Sequence, residues 1–167
     1  MPKNENMVEW CLKKAQKEIE KGQKHRGLVK TKPDLEIAQG HVKKAEHNFD
    51  AFMLNRKHGI YDWCISMGFY TMYHCCLAIS AKFGYESRNQ ECTLSLMSML
   101  SEQGKLGDDF HSYIEAMKAG EDSEDQILAL REKYQYSQTI SLDKQVVERL
   151  RLLCIEMITE TKGILKP

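Results

Sequence analysis

Apolar residues recur along most of the chain at steps of three and four, the spacing that lines one face of an α-helix. Residues 6–21 place Val8, Cys11, Leu12, Ala15 and Ile19 on one stripe, with Lys13, Lys14, Lys17 and Glu18 on the other side. Gly22 and Gly27 break that pattern, and the basic segment 22–32 reads as a loop. Thr31-Lys32-Pro33-Asp34 has the chemistry of a helix start, because Thr can cap, Pro is tolerated in the first turn and an acid suits the helix dipole. From there Ala38, Val42, Ala45, Phe49, Phe52 and Met53 share a face until Lys57-His58-Gly59, where Gly supplies the stop. Asp62 reads as the cap of the next helix, which is apolar on most sides from Ile60 to Ile79 and ends at Gly84. That helix is predicted to be the centre of a bundle.

Further helices are predicted over 89–101, from Asp108 or Asp109 through Met117, and over 126–133. An exposed acidic turn is expected over 120–125, and the segment around Tyr134, Tyr136 and Ser137 shows no strong period. Ser141 reads as the cap of a last long helix carrying Val146, Val147, Leu150, Leu153, Cys154, Met157, Ile158 and Ile164. No strand-length alternation and no repeat of 20–50 residues is visible. The fold class predicted is all-α: an antiparallel up-and-down bundle of four to six helices, three or four of them long.

Composition changes this picture little. A chain of 167 residues with 42% hydrophobic and 29% charged residues suits one soluble globular domain. The charge distribution matters more. Lys plus Arg and Asp plus Glu are equal at 24 each, which excludes a uniformly basic nucleic-acid binder. Residues 1–33 nevertheless carry nine basic against four acidic side chains, and residues 86–139 five against eleven. Lys24, Arg26, Lys30 and Lys32 form a candidate basic patch for a phosphate backbone. The chain divides on this reading into a basic helix-and-loop extension, 1–33, and a helical bundle domain, 34–167.

No apolar leader follows the N-terminal Met-Pro-Lys, and the stretch from Trp63 to Ala81 holds Ser66, Thr71, His74 and Ser80, so it reads as a buried helix rather than a membrane span. The expectation is a cytoplasmic protein with no membrane contact and reduced thiols. The six cysteines form no Cys-x-x-Cys pair. Asp108-x-x-His111 lacks the second copy that a di-iron bundle needs, and His41 and His47 do not have the i, i+4 spacing of a helical zinc pair. No metal and no cofactor is predicted.

The stretch His41–Tyr85 carries more than a helix pair. It contains Lys44-Ala45-Glu46, then the turn Gly59-Ile60-Tyr61-Asp62-Trp63, then Phe69-Tyr70-Thr71-Met72-Tyr73-His74, then Leu77-Ala78-Ile79 before Gly84. In order and spacing these segments resemble the HEPN domain family, with the 140–165 helix as the family's closing helix. The resemblance spans about residues 34–165. It implies a four- or five-helix bundle that forms a homodimer. It also implies RNA, a nucleotide or a nucleotidyltransferase protein as partner.

The ribonuclease members of that family use an Arg followed by a His. The pair suits attack by a 2′-hydroxyl, since histidine moves the proton and arginine holds charge on the phosphorane. The resemblance makes His74 the candidate catalytic residue. Asp62, Met67, Tyr70 and Tyr73 join it as candidates for the cleft, the tyrosines through base stacking. In close relatives the Arg would stand seven residues before His74, where this chain has Met67, and none of its six arginines has a His four to six residues after it. The function predicted is therefore a noncatalytic or weakly active dimer that binds RNA, a nucleotide or a partner protein. One alternative is a metal-independent endoribonuclease, the toxin of a HEPN–nucleotidyltransferase toxin–antitoxin pair, drawing its Arg from elsewhere, such as Arg88. The other is a purely structural dimerisation module.

Overall fold

The structure is a computed structural model, and it describes residues 3–118, 127–138, 140 and 143–167. Its elements in chain order are α1 (Lys3–Glu20), β1 (Leu28–Lys30), α2 (Leu35–Lys57), α3 (Tyr61–Lys82), β2 (Tyr85–Ser87), α4 (Gln90–Glu102), α5 (Phe110–Met117), α6 (Ile127–Tyr136) and α7 (Lys144–Leu165). The protein is all-α apart from the short β1–β2 pair.

The centre is α3, as its apolar circumference predicts. It buries Cys64, Ile65, Phe69, Met72, Cys75, Cys76, Ala78 and Ile79 among its neighbours. α2 lies antiparallel to it across the tight turn at Gly59, whose φ of 72° suits glycine. The direction is visible in two contacts: Cys64 donates to the Phe52 carbonyl near the turn, and His41 meets His74 far from it. α7 covers another side of α3 but runs parallel to it. Leu150 and Cys154 face Gly68, while the Ile164 carbonyl accepts from Lys82. The expectation of antiparallel packing throughout is corrected here, because α4 to α6 intervene and free the chain to return in the same sense. α7 is instead antiparallel to α2, joined by the ion pairs Arg56–Glu148 and Glu46–Lys162.

The extension folds back on the bundle. α1 runs antiparallel to α4, from Cys11 against Cys92 to Asn4 against Glu102. Two expectations fail in this region. Segment 22–32 is not simply a loop, since Leu28–Lys30 pairs antiparallel with Tyr85–Ser87. Three-residue strands are too short for alternation to register. The thiols are not all reduced: Cys11 and Cys92, 81 residues apart, form a disulfide buried at both ends. Sequence spacing could not bring them together, because their approach depends on how α1 docks. Cys64, Cys75, Cys76 and Cys154 are free and buried, as apolar filler.

Smaller corrections concern helix ends and faces. In α1 it is Glu18 that is buried while Ile19 is 51% exposed. Glu18 accepts from the Arg26 backbone N–H at 2.5 Å and from its Nε at 3.2 Å, so the buried carboxylate is compensated. α2 is capped by Asp34, which accepts from the Ile37 N–H at 2.9 Å, rather than by Thr31. Asp62 lies inside the first turn of α3, where Ile60 holds the cap position without a side-chain bond. Tyr134 and Tyr136 belong to α6, which is longer than expected. α7 starts at Lys144 and is capped by Asp143 bonding the Gln145 N–H. The predicted cap Ser141 and the predicted acidic turn 120–125 lie outside the described residues.

Candidate functional site

Residues 63, 67, 70, 74 and 77 follow one another on α3 at steps of four and three, so they occupy one stripe. The core-facing sides of α3 are covered by α2, α4, α6 and α7. This stripe is covered only in part: Trp63 is 50% exposed, and Met67, Tyr70, His74 and Leu77 are partly exposed. Three of the five predicted cleft residues, Met67, Tyr70 and His74, therefore share a surface. The other two are placed elsewhere. Asp62 immediately precedes Trp63 and so stands about 100° around the helix from the stripe. Tyr73 turns toward α4, where its hydroxyl lies 3.2 Å from Thr93 Oγ1 and its ring stacks on Phe69.

His74 has a partner that the sequence reading did not supply. The Nδ1 atoms of His41, on α2, and His74 are 3.0 Å apart. At that distance one of the two must carry the proton and donate it to the other. Two positive imidazolium rings would repel at this separation. Burial first, then His41 and the Lys44 ammonium, pushes His74 down to about 4, and burial also lowers His41. Both rings are thus neutral at pH 7. A signal for this pair did exist in the chain. Counting equal steps outward from the Gly59 turn leads from His41 to Leu77, one helical turn from His74.

His41 also borders a cavity of about 470 Å³ between the start of α2, the end of α3 and β2. Lys32, Asp34, Ser80 and Glu86 bring polar groups to its wall. Of the predicted basic patch, Lys32 stands on this cavity, and Lys30 lies in β1 opposite Tyr85. Lys24 is exposed, and Arg26 is committed to Glu18. Arg88, considered as a substitute for the missing arginine, pairs with Glu86 at 2.8 Å. Among the described residues, no group of three or more His, Cys, Asp or Glu side chains is placed to hold a metal ion.

Beside Lys44 near His74, a second cationic group stands against the stripe at Tyr70: Arg131, from α6. Its guanidinium carbon lies 4.4 Å from the Phe69 ring centre and 5.6 Å from that of Tyr70. One of its terminal nitrogens donates to the Tyr70 hydroxyl at 3.3 Å. Position 131 carries no sequence signal for this role, since it depends on how α6 packs across α3.

A family model for the HEPN domain matches residues 38–164. The chain belongs to the HEPN domain family. The match begins within α2 and ends within α7, so the stripe, the His41–His74 pair and Arg131 all fall inside the HEPN domain. α1 and β1 precede it. HEPN domains are associated with ribonuclease or nucleotide-related roles. No curated protein and no solved structure matches the chain.

Proposed function

We propose that this HEPN domain binds single-stranded RNA as a homodimer, along the α3 stripe, without efficient cleavage. The observation that carries this reading is the state of His74. A general acid or base works best with a pKa near the operating pH. His74 is held near 4, and its Nδ1 is engaged by His41. The resemblance places the family arginine at Met67, and a thioether cannot neutralise a phosphorane. What remains is a surface of Trp63, Tyr70 and Leu77 suited to contact with bases, since aromatic stacking contributes about 1–3 kcal/mol per base. The homodimer follows from the likeness to dimeric HEPN proteins, and the RNA reading requires an interface that leaves this stripe open.

The test is a metal-free incubation of purified protein with structured and unstructured RNA, paired with binding by fluorescence anisotropy and mass by light scattering. The expected outcome is a dimer that retains unstructured RNA intact. Cleavage abolished by His74→Ala would overturn the noncatalytic reading, and a monomer at micromolar concentration would overturn the dimer.

A further inference from the structure

We propose that Arg131 is the phosphate-binding group of the α3 stripe, seating an RNA phosphate beside Tyr70 and His74. The inference rests on the RNA reading above and adds the residue that anchors the backbone.

The argument begins with charge. His74 and His41 are neutral at pH 7, and Met67 carries none, so the stripe itself offers no cation. Lys44 lies near His74, and Arg131 is the cation that bonds a side chain of the stripe, at Tyr70. Among the described residues, Arg131 has no carboxylate partner; its contacts are the Phe69 ring and the ring and hydroxyl of Tyr70. Arg26, Arg56, Arg88 and Arg151 each pair with a Glu. A guanidinium left without a counter-ion in a partly buried position is an anion site in waiting, because a phosphate supplies both charge and acceptors.

Geometry supports the same assignment. A guanidinium can stack by its face and hydrogen-bond by its edge at once. Here the face is against Phe69, and the edge carries a single long bond to Tyr70. Its Nε is buried with no hydrogen-bond partner. Such an unmade bond is costly, and a rotation of the edge toward a phosphate oxygen removes the cost. Tyr70 then stands one helical turn from His74, about 6 Å along the axis. Arg131 acts across α6 and α3 on the surface where position 67 of α3 has no charge to offer.

Two probes test this. The first is inorganic pyrophosphate, titrated into ¹⁵N-labelled protein while the arginine Nε–Hε resonances are followed. The chain has six arginines, so the signal lost in Arg131→Lys identifies residue 131. The second is a fluorescent single-stranded RNA, measured at several salt concentrations with wild type, Arg131→Gln and Arg131→Lys. Thermal melts confirm that each variant is folded.

The expected results are a pyrophosphate-dependent shift of the Arg131 resonance and about tenfold weaker RNA binding by Arg131→Gln. The slope of log affinity against log salt should fall by about 0.7, the value for one phosphate contact to a single strand. Arg131→Lys should keep the slope. RNA binding unchanged in Arg131→Gln would overturn the assignment while leaving the RNA reading intact. A pyrophosphate shift with no RNA binding by wild type would keep the anion site and overturn the RNA reading. Neither shift nor binding would overturn both, leaving Arg131 as a staple between α6 and α3.

Discussion

At the scale of single residues, the two histidines decide most of the chemistry. The His74 pKa is lower in the folded protein than in the unfolded chain, so the unfolded chain takes up the proton first as pH falls. Stability linked to His74 is therefore complete above about pH 6.5 and is lost progressively down to about pH 4. His74→Gln removes that titration. Melting temperature measured from pH 7 to pH 4 should fall more steeply for wild type than for His74→Gln; parallel curves would show that the pair is not proton-linked to folding. The sequence pointed to His74 through its aromatic neighbours, but its partner and its suppressed basicity come from the α2–α3 register. Tyr73 lies off the stripe for a related reason, since its hydroxyl meets Thr93 of α4. Position along α3 shows which side a residue occupies, but not which side is already covered by α4.

At the scale of elements, the helices were largely legible because their faces repeat every three or four residues over two or more turns. Their ends were legible where a stop had ordinary chemistry, as at His58-Gly59; the cap of α4 was not read, although Asn89 accepts from the Cys92 N–H at 2.9 Å. β1 and β2 were not legible, since three residues cannot establish a period. The parallel approach of α3 and α7 was also hidden, yet one residue records it. A Cβ at Gly68 would lie 2.5 Å from Leu150 Cδ2 and 2.7 Å from its Cγ. Gly68→Val should destabilise the protein by about 1–3 kcal/mol through overpacking. Urea denaturation checks this, and Leu150→Ala in the same chain should recover part of the loss relative to its own background. Independent, additive effects would place the contact elsewhere.

The extension and the bundle meet at the scale of the whole molecule. Cys11 lies near both partners of the small sheet: a Cβ on Gly27, just before β1, would sit 2.6 Å from the Cys11 carbonyl oxygen, and Cys92 opens α4 just after β2. The disulfide thus holds the approach to β1 and the exit from β2 together. A bond closing a loop of 81 residues stabilises by about 4.5 kcal/mol in the chain-entropy account. Urea curves with and without a thiol reductant, or for Cys11→Ser, should differ by roughly this amount. Alkylation under denaturing, nonreducing conditions should label four cysteines, and six after reduction. Six before reduction would show the pair to be open.

The same bond changes what a cut in the backbone means. Residues 11 to 92 form a closed covalent ring that carries β1, α2, α3 and β2 on its circumference. Lys24 and Lys30 are exposed on that ring. A single cut by trypsin at either one opens the ring without dividing the molecule. The nicked protein should run as one species on a nonreducing gel and as two on a reducing gel. α1 is therefore not a detachable tail, because losing it requires either reduction or a second break in the ring's flank.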